Sequence, residues 1–178
     1  MRDKLGYVHV YTGDGKGKTT AAAGLAARML GRGKSVLFAQ LFKYEEESGE
    51  IVSLKKLGAK YMAYSHRHPA LHKGYSGKEL EQLANECEAF VENVFEIARK
   101  DRYDMLILDE IGPALTCNFI GLDKLMYLIK TKPEQTELVL TGRGIPKQII
   151  DLAGYYTPMS KGKHIYDHGI PAREGIEK

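Results

Sequence analysis

The chain has 178 residues, 43% of them hydrophobic and 28% charged, which fits one domain with a sizeable core and excludes a disordered or membrane-embedded chain. Its 26 Lys and Arg against 23 Asp and Glu leave a net charge of +3, too mild and too evenly spread to argue for a surface that coats nucleic acid. Cys87 and Cys117 form no CxxC or other metal spacing, which implies a reduced chain without a disulfide framework, and 11 Tyr and 5 Phe are accompanied by no Trp.

The opening residues, Met1 to Val10, carry charge at once, and no window approaches the ~18 apolar residues of a spanning helix. A cytoplasmic chain is expected, with residues 1–178 forming one domain, since no repeat or linker divides it.

In chain order, the first strand is expected over Gly6–Tyr11. It runs into Thr12-Gly13-Asp14-Gly15-Lys16-Gly17-Lys18-Thr19-Thr20, and a helix rich in Ala and Leu follows from Thr19 to Leu30, ending at Gly31 and Gly33. Glycines let the backbone curl so that N–H groups face phosphate oxygens, and the helix adds its positive N-terminal end. Lys18 is placed to contact phosphate and the Thr19 hydroxyl to hold magnesium. The loop is short: Gly13 and Gly17 are separated by three residues, where the usual pattern has four. A shortened loop should hold the phosphate chain differently, which argues against ordinary attack at the terminal phosphate.

A second strand is expected over Ser35–Leu41, a short helix over Ser48–Leu57 and a third strand over Ala59–Ala63. Glu45, Glu46 and Glu47 read as a solvated loop. His66, His68 and His72, with Arg67 and Pro69 among them, read as a polar loop rather than a metal cluster, because no helical spacing orients the rings. From Lys78 to Lys100, Leu80, Leu83, Cys87, Phe90, Val94 and Ile97 recur at alternating steps of three and four, an amphipathic helix that packs on the sheet.

Tyr103–Leu108 is the fourth strand, and Met105-Leu-Ile-Leu, like Val36-Leu-Phe-Ala, is apolar without alternation, as central strands covered on both faces are. It delivers Asp109 and Glu110 at its C-terminal end, where paired acids suit a hard cation that bridges phosphates. Helices are expected over Leu122–Lys130 and Pro146–Leu152, with strands over Glu137–Thr141 and Tyr155–Lys161. Thr141-Gly142-Arg143-Gly144 follows a strand, so Arg143 falls on the same sheet edge and could reach a ligand phosphate or carboxylate. The order of elements predicts a three-layer α/β fold with a mostly parallel sheet. No Ser/His/Asp or Cys/His arrangement stands out, so the chemistry calls for a nucleotide, a magnesium ion and a second substrate bringing its own nucleophile.

These residues resemble the P-loop type of ATP:corrinoid adenosyltransferase, the cob(I)alamin or cob(I)yrinic acid a,c-diamide adenosyltransferase family. The likeness runs through the loop at 13–21, Ala-Ala-Arg at 26–28, Gly-x-Gly-Lys at 31–34, Gln40-Leu-Phe-Lys43, Gly49-Glu50, Leu108-Asp-Glu110, Thr-Gly-Arg-Gly at 141–144, Asp151-Leu-Ala153, Lys163-His164 and the closing Gly-Ile-Glu. The resemblance implies a RecA-like P-loop fold in which ATP exposes its 5′ ribose carbon to a Co(I) corrinoid and triphosphate leaves whole. It implies that Lys16, Lys18 and the amides of Gly13, Asp14, Gly15, Gly17 and Thr20 hold the triphosphate. Thr19 and Glu110, with Asp109 nearby, would hold magnesium, and Arg28, Lys43 and Arg143 would touch nucleotide or corrinoid. It also implies a homodimer and an electron donor such as a flavoprotein.

The chain departs from the family in one loop. The family carries a Phe-x-Trp pair after the region around Ala59–Ala63 that displaces the lower cobalt ligand, whereas this chain reads Tyr61-Met-Ala-Tyr64-Ser-His-Arg-His-Pro69-Ala-Leu-His-Lys-Gly-Tyr75. Tyr64 or Tyr75 is then the candidate apolar face, or the corrinoid step is altered or lost. Two other activities are compatible with the motifs: a P-loop kinase or ATPase, and a nucleotide-gated corrinoid carrier or regulator without turnover.

Overall fold

The structure is a computed structural model that describes residues 5–43, 48–66 and 76–177. Six strands, β1 Val8–Thr12, β2 Val36–Leu41, β3 Lys60–Tyr64, β4 Met105–Asp109, β5 Glu137–Thr141 and β6 Tyr155–Pro158, form one sheet in the order β3-β2-β4-β5-β1-β6. Every pairing is parallel, so all six strands end on one edge.

β2, β4 and β5 are buried along their whole length, as their continuous apolar runs require. Their side chains alternate between the sheet's two faces. Leu37, Ala39, Leu106, Leu108, Leu138 and Leu140 join the core that packs against α3 (Gly77–Lys100) and α5 (Leu122–Lys130). Val36, Phe38, Met105, Ile107 and Val139 face α1 (Lys18–Leu30) and α2 (Gly49–Lys56). On α1 the buried apolar positions are Ala22, Ala23 and Ala26, small side chains that let the helix lie close to the strands.

α3 begins on a capping box: the Ser76 hydroxyl accepts from the Glu79 amide, and the Glu79 carboxylate accepts from the Ser76 amide. Its buried face is Cys87, Val91, Val94, Phe95 and Ala98, with Leu80, Leu83, Phe90 and Ile97 half-buried along the margins. The expected stripe does pack on the sheet, rotated slightly toward Val91 and Phe95.

Three elements differ from expectation. A six-residue helix, α4 (Ile111–Thr116), follows β4 directly, in a stretch where no element was expected. Pro113 sits in its first turn, where the missing N–H needs no helical partner. α6 is confined to Lys147–Ile150, with Pro146 at its N-cap. β6 stops at Pro158 rather than Lys161 because the chain then turns onto the loop after β1: the Met159 amide donates to Thr12 O, and the Met159 carbonyl accepts from Gly15 N. A single 3-10 turn, Ile165–His168, follows. Among the described residues, no helix is long and apolar enough to cross a membrane.

Candidate active site

β1 hands the chain to the glycine-rich loop at its buried C-terminal residue, Thr12. Gly17, at the N-cap of α1, has φ 116°, a conformation that favours glycine and that turns the loop into the helix. Lys18, the first residue of α1, is buried and folds back, its Nζ donating to Gly13 O and Gly15 O, each at 2.7 Å. Burial pulls its pKa down, opposed chiefly by the carboxylate of Glu110. Gly15 contributes by lacking a side chain rather than by its N–H, since that amide is committed to Met159 O at 2.7 Å.

The centre of the site is Asp109, wholly buried at the end of β4. Its Oδ1 accepts from the hydroxyls of Thr19 at 2.8 Å and Thr141 at 2.6 Å. Its Oδ2 accepts from Gln40 Nε2 at 2.9 Å and Lys43 Nζ at 3.2 Å. Four donors, two of them from strands in register with or next to β4, satisfy a charge that could not otherwise be buried. Gln40 is held in turn, its Oε1 accepting from Ser48 Oγ and Tyr61 Oη. Lys43 stays protonated above its ordinary range: burial alone would lower its pKa, but Asp109, Glu110 and Glu50 together raise it.

Glu110 adopts φ 64°, ψ 30° at the N-cap of α4, so the chain bends sharply after Asp109 and the next carboxylate enters the cleft. Its amide donates to Thr141 Oγ1 at 3.0 Å, whereas its carboxylate makes no hydrogen bond among the described residues. Burial, then the neighbouring Asp109 charge, raises its pKa, with Lys43, Lys18 and Arg143 opposing. A half-buried carboxylate without a donor, beside a threonine hydroxyl and a second carboxylate, is an oxygen set suited to a hard divalent cation.

A cleft of about 940 Å³ opens over these groups. It is lined by the loop from Asp14 to Thr20, by Lys43, Glu50, Glu110, Arg143 and His164, and by Gly175 to Glu177. The expected site residues from Asp14 to Thr20, with Lys43, Glu110 and Arg143, therefore come together at the cleft, Gly13 and Asp109 sit just behind its lining, bonded to Lys18 and Thr19, and Arg28 lies apart. Arg28 lies in the last turn of α1, ten residues beyond Lys18 and so ~15 Å along the helix, and is not among the cleft residues. Burial raises the pKa of the Tyr11 hydroxyl, and the Arg28 charge opposes that shift.

Gln40 and Thr141 belong to the Asp109 network without having been assigned roles from sequence. The available signal was position: each is a polar residue at or next to the C-terminal end of a buried strand whose middle is apolar, as Asp109 is.

Tyr64 cannot serve as an apolar face for a ligand. It is buried among Phe42 and Phe90, and its hydroxyl donates to Leu83 O at 2.7 Å. Tyr75, Glu45 to Glu47, Arg67, His68, Pro69 and His72 lie outside the described residues. His66 rests against the Tyr64 ring, 4.3 Å between centroids. Both cysteines are free.

Strand order adds a fold-level marker. β5 lies between the phosphate-loop strand β1 and the acidic strand β4, and the cleft sits at their carboxyl ends. Together the sheet and the loop define a RecA-like P-loop, nucleotide-binding fold. The flagellar accessory protein FlaH of Methanocaldococcus jannaschii shares that fold, with a TM-score of 0.53 and 14% identity over 86% of this chain and 72% of its own.

The sequence comparisons are more specific. The chain belongs to the ATP:corrinoid adenosyltransferase BtuR/CobO/CobP family, whose model matches residues 4–177. The corrinoid adenosyltransferase of Escherichia coli K12 is 29% identical over 176 residues, spanning 99% of this chain and 87% of that protein. The corrinoid adenosyltransferase CobA of Salmonella typhimurium LT2 is 29% identical over 99% of this chain and 87% of its own length. A corrinoid adenosyltransferase of a Sinorhizobium species is 31% identical over 98% of this chain and 81% of its own length.

Proposed function

We propose that this chain transfers the 5′-deoxyadenosyl group of ATP to the Co(I) centre of a corrinoid and releases triphosphate. The observation that carries the proposal is the convergence of the short phosphate loop with Asp109, Glu110 and Lys43, in a chain that matches this family over nearly its whole length. The Co(I) electron pair attacks C5′ of ATP, the cobalt–carbon bond forms, the C5′–O bond breaks, and triphosphate departs with that bond's electrons. The corrinoid is both nucleophile and substrate, so the protein's work is to position the reactants and neutralise charge.

Lys18, Lys16 and the unspent loop amides hold the phosphate chain, and Arg143 and Lys43 add positive charge at the rim. Thr19 and Glu110 would hold magnesium. Asp109, with both oxygens already taken by donors, aims the Thr19 hydroxyl rather than binding freely. Magnesium would supply charge neutralisation on the leaving triphosphate. A homodimer of single-domain chains in the cytoplasm, served by an electron donor such as a flavoprotein, completes the proposal.

The test supplies ATP, magnesium and chemically reduced Co(I) corrinoid. A light-sensitive adenosyl corrinoid and one equivalent of triphosphate are expected, and Lys18→Ala should abolish both. Formation of ADP would establish a kinase or ATPase, and tight binding without product a carrier. Either outcome would overturn the proposal.

A further inference from the structure

A second ion-pair cluster lies in the same cleft, apart from the Asp109 network. Lys16 Nζ donates to Glu177 Oε1 at 2.8 Å. Glu177 is fixed from its other side, where the Arg173 amide and Nε each donate to Oε2 at 3.1 Å and Arg173 Nη2 donates to Oε1 at 3.1 Å. Although this turn is at the surface, the Glu177 side chain is only 15% exposed, and Gly175, Ile176 and Glu177 line the cleft with the loop. The Arg173 and Lys16 hydrogen bonds hold its carboxyl down to about 2, so it stays anionic at any working pH. A clamped carboxylate on a loop lysine presents oxygens where a polyphosphate would present its own.

We propose that the 173–177 turn is an intramolecular competitor for the phosphate loop: Glu177 holds Lys16 until the phosphate chain of a nucleotide, or free triphosphate, displaces it. The inference rests on the reading that Lys16 binds phosphate. Two anions cannot share one ammonium without repelling each other, so the turn weakens substrate and product binding together. Its benefit falls on the product side. A multiply charged leaving group held by several cations is slow to depart, and a tethered carboxylate that recaptures Lys16 hastens its release.

The test compares inorganic triphosphate and MgATP binding by calorimetry in the unmodified protein, Glu177→Gln, Lys16→Gln and the double variant. Glu177→Gln is expected to tighten both ligands about two- to fivefold, the range of an exposed ion pair. In the Lys16→Gln background the same change should have no effect. Unchanged or weaker binding in Glu177→Gln, or tightening that persists without Lys16, overturns the competitor role while leaving the phosphate site intact. Failure of the unmodified protein to bind either ligand would sink the phosphate site and this inference together.

Discussion

Gly15→Ala isolates how the phosphate loop is held. A Cβ built there would lie 2.7 Å from Met159 O and 2.7 Å from Ser160 O, inside the 3.0 Å limit that real Cβ contacts respect. Both atoms are backbone, so no side-chain rotation relieves the clash. Either the loop lifts or residues 159 and 160 retreat, and both movements strain the 2.7 Å bond from Gly15 N to Met159 O. Overpacking costs ~1–3 kcal/mol and a lost hydrogen bond ~1 kcal/mol, together ~2–4 kcal/mol. For a chain of this size that is a fall in Tm of roughly 4–15 °C. MgATP affinity should fall as well, because the displaced loop carries Lys16 and Lys18.

Gly17→Ala is the contrasting case. Its nearest neighbour would be Met159 Sδ at 3.7 Å, but its φ of 116° penalises any side chain, so it should cost ~1–3 kcal/mol through backbone strain alone. Met159→Ala would not rescue Gly15→Ala, whose clash is with backbone. Thermal melts with and without MgATP, followed by nucleotide titration, read all three variants. A Gly15→Ala protein that melts with the unmodified one and binds MgATP equally well would refute the reasoning.

Further outcomes follow from single contacts. Asp109→Asn keeps the shape of the hub but removes the charge paired with Lys43; about 1.5–3 kcal/mol of stability should be lost in denaturant titrations. The same variant should bind Mn²⁺, followed by paramagnetic resonance, roughly tenfold or more weakly, as expected when a residue orienting a ligand is changed. Burial raises the Cys87 thiol from 9.0 to about 12. The fold thus favours the neutral thiol, and that contribution is present below pH 9.0 and lost as pH rises toward 12. Unfolding midpoints should therefore drop above about pH 9, less steeply in Cys87→Ala, and native Cys87 should react with a thiol reagent far more slowly than half-buried Cys117. Equal rates would contradict that burial. Ser76→Ala removes the N-cap of α3 and should cost ~1 kcal/mol by chemical denaturation. The Glu79 carboxyl is held low first by the Ser76 amide and then by its hydroxyl; the variant keeps the amide, so in an NMR titration the carboxyl should move only part of the way up.

The elements that repeat or punctuate were legible from the residues alone. A continuous apolar run ending in Asp109 predicts a buried strand delivering an acid, and Gly13 to Thr20 between a strand and an Ala-rich helix predicts a phosphate loop, because both signals are local. α4 was not legible, since six residues carry too little periodicity and Gly112-Pro113 reads as a break.

The sequence by itself determined the α/β class, the loop and the set of charged side chains available to it. Only the tertiary structure decided how those charges are shared. Strand order places Gln40 and Thr141 beside Asp109, which surrounds its carboxylate with donors, while among the described residues the neighbouring Glu110 carboxylate has none. It separates Arg28 from the cleft by most of a helix, seals Tyr64 in the core, and brings Glu177 across 161 positions to Lys16. Those outcomes depend on contacts between residues distant in the chain, and periodicity and spacing carry no information about which distant residues meet.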